Sequence, residues 1–378
     1  MDEPSREIKK PSLLDAIIPV ISLISMLAGT VYLFGLDSFG PNQVALILAA
    51  AIAAVIGIKN GHTWREIEKG MIETISMSLQ AILILLMVGA LIGAWILSGT
   101  VPSMIYYGVQ LMSPDYFYLT ACLVCALLGF SIGSSWTVAG TLGIGLMGIA
   151  AALDLSLPMS AGAIISGAYF GDKLSPLSET TNLAAAVTSN DLFDHIQHML
   201  WTTVPAILIT LLIFFVLGLG NNSGVVIEDI INLQNAMDQA FHISPLMLIP
   251  LFVLLTLAIK KQPALSTLIS GTVLGCIFAA IFQWDAAVAL AGDPKLHPLA
   301  AIFKGLFSAM FLGYTSVSGN ESLDSLLSKG GMSSMLTTIG LVVNAMAFGG
   351  AMARTGLLSR LVEAALSGEL ARPRPRAV

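Results

Sequence analysis

Apolar blocks long enough to enter a bilayer alternate with short polar stretches along most of this chain. Leu13–Phe34, Ile75–Leu97, Met199–Leu219, Ala264–Phe282 and Met332–Met352 are each close to the roughly 20 residues that a helix needs to cross ~30 Å of hydrocarbon. Leu299–Val317 is of similar length, and Val44–Ile58, Tyr116–Ile132, Val138–Leu153 and Leu246–Ile259 are shorter blocks of the same character. Asn60–Glu73 differs, because His62, Trp64, Arg65, Glu66, Glu68 and Lys69 give it the charged face of an amphipathic interfacial helix. Ser98–Asp115, rich in Gly, Pro and Tyr, and the acidic loop Asn221–His242 carry no span; Asn320, Glu321, Asp324 and Lys329 read as a loop, with gating as the lesser reading. The pattern predicts an all-α polytopic membrane protein of about ten segments. Its parts are a cytoplasmic tail over 1–12, a transmembrane domain over 13–353 and a C-terminal tail over 354–378.

One place departs from the pattern. Residues 166–182, SGAYFGDKLSPLSETTN, set Asp172, Lys173 and Glu179 between two short apolar runs, Met159–Phe170 and Pro176–Val187. Ionisable groups at membrane depth cost about 2.5 kcal/mol or more each and mark ion or substrate paths. Gly167 and Gly171 loosen a helix and Pro176 removes a backbone donor, so a discontinuous helix is predicted, its first half ending near Gly171. Unwound backbone inside a bilayer is tolerated where it lines an aqueous cavity, which is how secondary transporters build their sites. Two half-helices end to end reach about 36 Å, enough for one interrupted crossing.

Composition agrees with a membrane protein: 56% of residues are hydrophobic and 11% charged, against roughly 25% charged in a soluble domain. The net charge of −6 says less than the signs of individual loops. The dense basic cluster Arg372, Arg374 and Arg376 lies at the extreme end, so no nucleic-acid partner is expected. Cys122 and Cys125 have C-x-x-C spacing but sit among apolar residues, where thiols behave as small hydrophobes. H-E-x-x-H is absent, and the one G-x-S-x-G, at residues 129–133, lies in an apolar run without the strand-to-helix turn that would expose its serine, so an intramembrane hydrolase is disfavoured and neither an enzyme nor a cofactor is expected.

Orientation follows from basic residues. Arg6, Lys9 and Lys10 put the N-terminus in the cytoplasm, and Lys59, Arg65 and Lys69 lie on the same side two crossings later. Counting onward, with the broken region crossing once, leaves the tail after Met352 outside. That outcome conflicts with the same rule, because the tail carries Arg354 and Arg360.

The chemistry of the motif is that of a hard cation. Ser175 is predicted to cap the second half-helix and Pro176 to open it, with Glu179 in the first turn, where a charged carboxylate is favoured. Carbonyls ending the first half-helix, together with oxygens of Asp172, Ser175, Ser178, Glu179, Thr180, Thr181 and Asn182, make a ligand set suited to sodium. A carboxylate so placed also binds a proton, so the two ions compete, and Lys173 is the natural counter-charge. A structural Asp172–Lys173 pair at a loop exit is the plainer alternative, outweighed by the double break, the second carboxylate and the run of hydroxyls. Asp191, Asp194, His195 and His198 fall at i, i+3, i+4 and i+7 on a helix that Ser189 or Asn190 would cap. Zinc binding and pH sensing are open to that stripe, with a solvated interfacial face favoured over both. Ser134, Ser135, Trp136 and Thr137 form a polar cluster that either lines the cavity or mediates helix packing.

GAYFGDKLSPLSETTNLAAAV followed by DLFDHIQHML resembles the signature of the NhaC-type bacterial sodium/proton antiporters, and GHTWREIEKG, ALIGAWILSGTVPSMIYYG and GGMSSM extend the likeness to about residue 365. The resemblance implies a multi-pass inner-membrane exchanger of sodium for protons, built on inverted repeats, with some relatives moving carboxylates such as malate and lactate. Its partners are then sodium, protons and the lipid bilayer, with a homodimer open as its assembly. Asp172, Ser175, Pro176, Ser178, Thr180, Thr181 and Asn182 match the family's stretch. The family more often has aspartate where this chain has Glu179, and GTSWGT where residues 133–138 read GSSWTV. It also implies further spans and a second motif-bearing segment, so the second repeat is expected to be incomplete, with a truncated, non-transporting member as an alternative.

Overall fold

The computed structural model describes residues 8–176, 178, 180–181, 184–185, 190–219, 227–260 and 262–370. Among them every regular element is a helix, as hydrocarbon demands of a chain that must satisfy its own backbone groups. Seven helices are long and apolar enough to cross a membrane, and Ile231–Ala240 with Pro245–Ile259, bent by 86°, makes an eighth if counted as one span. The chain divides into two compact units, residues up to Leu85 together with those from Met335, and residues Leu86–Ser334.

In the first unit Leu13–Phe34 packs on Phe39–Lys59 and on Leu357–Leu370. Small side chains make the core: Ala16, Ala53, Ala54 and Ala351 are buried with Ile67, Met352 and Leu357. Close backbone approach of this kind supplies the attraction between helices that lipid does not. Ser12 and Asp15 form a capping box at the start of the first helix, and Lys59, ending the second, reaches Asp15 at 2.9 Å. The amphipathic helix expected over 60–73 runs over Trp64–Met77, because the Thr63–Glu66 capping box fixes its start.

The same unit packs the end of its last long helix beside basic residues from near the start of the chain. Gly57 packs on the Thr355 side chain, and a Cβ on Gly70 would lie 2.6 Å from the Arg354 Cβ. The Lys9 N–H donates to the Asn60 carbonyl at 3.0 Å. Arg354 therefore emerges at the end that carries Lys9, Lys59 and Arg65, not at the opposite one. Among the described residues, five helices from Leu79–Leu97 to Met332–Arg354 are long and apolar enough to cross, and the bent pair counted once makes a sixth, an even number. The sequence count differs by three segments: Val138–Leu153 and Leu299–Val317 are not single long helices, and the broken region, counted there as one crossing, is not among the six.

The second unit holds the site. Residues 98–115, without a span in the hydropathy pattern, contain the buried helix Thr100–Leu111, whose Met104 and Ile105 fit against Gly145 and Gly148 of Leu142–Ala152. The stretch expected as an acidic loop is helical over Ile227–Ala240. Its register follows from Leu233, Met237 and Phe241, buried at four-residue spacing. Pro298–Phe311 stops short of Val317, Gly313 turns the chain at φ 95°, and the expected loop at 320–329 contains the short helix Glu321–Leu327. Asn320 caps that helix by accepting from the Leu323 N–H at 3.1 Å.

Candidate functional site

Leu157–Leu174 is one unbroken helix through Gly167 and Gly171, which corrects the expectation that these glycines interrupt it. They serve contact instead. A Cβ on Gly167 would collide with the Cys122 carbonyl, one on Gly171 with the Ala126 carbonyl and the Phe130 nitrogen, and one on the facing Gly129 would lie 2.7 Å from the Ala168 carbonyl. Helices 117–132 and 157–174 thus touch backbone to backbone, the arrangement that small residues permit in membranes. The break falls one turn later, at Ser175, whose extended backbone (ψ 127°) is what a following proline imposes. Pro176 lies at the break as expected but does not open the next helix: it sits in a turn, and among the described residues helix resumes only at Thr180 and Thr181.

This shift puts Asp172 and Lys173 in the last helical turn. Free carbonyls there favour a cation and oppose a carboxylate, so Lys173 is well placed and exposed, whereas Asp172, 8% exposed, needs a donor. The donor comes from elsewhere in the chain: the Ser135 hydroxyl hydrogen-bonds Asp172 Oδ2 at 2.9 Å. The structural Asp172–Lys173 pair weighed as the plainer alternative does not form, and among the described residues Lys173 has no carboxylate within ion-pair distance. Successive residues on a helix face directions about 100° apart, and here one turns inward and the other outward.

Beyond the break, the Ser175 N–H donates to the Asp172 carbonyl at 3.1 Å and the Ser178 N–H to the Ser175 carbonyl at 3.2 Å. Ser178, rather than the expected Ser175, acts as the cap: its Oγ accepts from the Thr181 N–H at 3.3 Å and lies 2.9 Å from the Thr180 hydroxyl. The Thr181 hydroxyl donates to the Lys173 carbonyl at 3.0 Å, occupying one of the helix-end acceptors. Ser175, Ser178 and Thr181 are buried with Asp172. Glu179 and Asn182 lie outside the described residues, as does Ser189.

Ser135 is aimed by a second interruption. Gly133 ends the 117–132 helix in the left-handed region (φ 71°), and Ser134 caps the short helix Ser135–Gly140 by accepting from the Thr137 N–H at 3.3 Å and its hydroxyl at 2.9 Å. The 133–137 cluster therefore divides: Ser134 and Thr137 build the turn, while Ser135 and Trp136 face a cavity of about 360 Å³.

That cavity also takes in Asp172, Lys173, Thr180, Thr181 and His195. Of the stripe on Leu192–Leu219, His195 reaches it. Asp191 caps that helix, accepting from the Phe193 and Asp194 N–H groups at 2.8 and 3.3 Å, and Asp194 and His198 are exposed. Among the described residues no three His, Cys, Asp or Glu side chains gather as a metal would require. The sequence reading missed three lining residues, Tyr169, Ala184 and Met199. Spacing offered a signal for two, since Tyr169 and Met199 lie one turn from Asp172 and His195 respectively.

Away from the cavity, Asp324 organises a tight loop. Its carboxylate accepts from the Ser316 hydroxyl and from the Ser318 N–H and hydroxyl, each at 2.7 Å, and from the Gly319 N–H at 3.3 Å. The Ser318 backbone bond foremost, then the two hydroxyls, hold its pKa below the ordinary aspartate value.

Comparison with known proteins gives the same direction as the motif. The description Na+/H+ antiporter family fits residues 167–372. The chain is 36% identical over 321 residues to the Na(+)/H(+) antiporter NhaC of Alkalihalophilus pseudofirmus, covering 85% of this chain and 66% of that protein. It is 35% identical over 359 residues to the Malate-2H(+)/Na(+)-lactate antiporter of Bacillus subtilis, covering 94% and 72%. It is also 35% identical over 355 residues to the arginine/ornithine antiporter ArcD of Halobacterium salinarum, covering 93% and 69%. The chain thus spans about two thirds of the length of these relatives. No solved structure matches it.

Proposed function

Because the chain belongs to the Na+/H+ antiporter family, we propose that it is a secondary transporter exchanging sodium ions for protons across a bacterial inner membrane, by competition at Asp172. The observation that carries this reading is a buried carboxylate in the last turn of a helix, beside a chain break and facing a cavity lined by hydroxyls. Oxygen ligands of this kind suit a small hard cation. A proton and sodium cannot both neutralise one carboxylate, so binding one releases the other. Alternate opening of the cavity to the two sides then yields exchange without covalent chemistry. An unequal exchange would draw ~2.3 kcal/mol per net charge from each 100 mV of membrane potential.

The basic end of the first unit, with Lys9, Lys59, Arg65 and Arg354, supports a cytoplasmic N-terminus by the positive-inside rule. In everted vesicles sodium should dissipate an acid-inside pH gradient, and Asp172→Asn should abolish the response. Full activity in that variant would remove Asp172 from the mechanism.

A second reading, ion-coupled exchange of carboxylates, rests on Lys173, which faces the cavity with no carboxylate paired to it among the described residues. A relative named for malate and lactate is consistent with it. Uptake of labelled malate or lactate, lost in Lys173→Met while sodium-driven proton movement persists, would select this reading.

A further inference from the structure

We propose that Ser135 is a switching ligand of the ion site, donating its proton to Asp172 when no sodium is bound and turning an oxygen lone pair to the ion when sodium sits on the carboxylate. The inference rests on the sodium/proton reading above and deepens it, by adding to the 172–182 stretch a ligand 37 residues away in sequence.

The geometry asks for such a group. Asp172 is 8% exposed and Ser135 4%, and a buried polar group without a partner is costly. Helix-end carbonyls around Asp172 repel its charge, and among the described residues the Ser135 hydroxyl is the side-chain donor that offsets them. Sodium can bind there only if whatever it meets offers lone pairs. A lysine or arginine donor would have none to give and would repel the ion. A hydroxyl has one proton and two lone pairs on a freely rotating bond, so it serves both states.

Its neighbours could not take this part. The Ser134 oxygen and the Thr137 hydroxyl are committed to the cap, and the left-handed Gly133 fixes where the capped turn begins. Among the described residues, other titratable or charged groups around Asp172 are few, Glu179 lying outside them. Lys173 and Tyr169 share its helix and the cavity, and His195 faces it from 192–219. The packed 117–132 helix brings the thiols Cys122 and Cys125 and Tyr118, whose hydroxyl accepts from the Ser156 N–H. Helices 135–140 and 142–152 carry no titratable side chain.

The test is sodium-dependent proton movement in everted vesicles, measured against sodium concentration and against pH for the wild type, Ser135→Ala and Ser135→Thr. Loss of one hydrogen bond or ligand to a charged partner predicts a roughly tenfold weaker apparent sodium affinity in Ser135→Ala. The pH of half-maximal exchange should move upward, because the proton then faces a weaker rival, and Ser135→Thr should restore both. If Ser135→Ala fails to reach the membrane, Ser135→Cys, similar in size but a poor donor and a poor sodium ligand, should show the same pair of changes. Unchanged affinity and pH profile in the Ala or Cys variant would make Ser135 a packing residue and overturn the proposal while leaving sodium/proton exchange standing. Absence of sodium-driven proton movement in the wild type would instead overturn the reading beneath it.

Discussion

Arg354 lays its side-chain stem on Gly70, its Cβ and Cγ 2.6 and 3.0 Å from where a Cβ on that glycine would stand. Residues 284 positions apart along the chain are thereby held together, so two positively charged stretches lie at one end of the first unit. Single cysteines replacing Lys69, exposed, and Arg360, half-buried, should react with a membrane-impermeant thiol reagent from the same side. The native thiols Cys122 and Cys125 are buried and Cys276 half-buried, so background labelling should be low. Labelling from opposite sides would restore the odd count.

Gly171→Ala separates contact from flexibility. If the glycine merely softened its helix, alanine would stabilise the protein by up to about 1 kcal/mol. Because the added methyl meets the backbone of Ala126 and Phe130, it should instead destabilise by about 1–3 kcal/mol, the usual cost of overpacking. Thermal unfolding of the purified protein in detergent reads the sign directly.

His195 and His198 should behave differently although both belong to one stripe. His195 lines the cavity that contains Asp172, whereas His198 is exposed away from it. His195→Ala should therefore change apparent sodium affinity, with His198→Ala leaving it unchanged. Equal effects of the two substitutions would return the stripe to a solvated face.

Asp324 should keep its loop ordered well into acid. Its lowered pKa means that the carboxylate contributes stability fully above the unfolded value near 4 and loses it only as pH falls through the lower folded value. Amide exchange over 316–320 should therefore be flat between pH 5 and 9, once corrected for the intrinsic rate. Asp324→Asn cannot present the same acceptors to the Ser318 and Gly319 N–H groups, and exchange there should quicken on the order of tenfold at every pH. Hydrogen exchange followed by mass spectrometry resolves this segment.

The local signals were strong where local physics decides. Hydropathy marked the long helices, the Ser12–Asp15 and Thr63–Glu66 caps are readable as short polar spacings, and Pro176 fixed a break because proline restricts the residue before it. A carboxylate in an apolar stretch pointed to Asp172 for the same reason, since its cost arises from its own surroundings.

What only the tertiary structure decided are relationships across helices. Composition cannot tell a glycine that frees a backbone from one that admits another, and at Gly167 and Gly171 the second holds because helix 117–132 lies against them. Nor could spacing show that Ser135 rather than Ser134 meets Asp172, that His195 alone of its stripe reaches the cavity, or that Arg354 returns to Gly70. Each depends on how helices cross, and a crossing is set by side chains far apart in the chain, whose meeting no periodicity along one helix records.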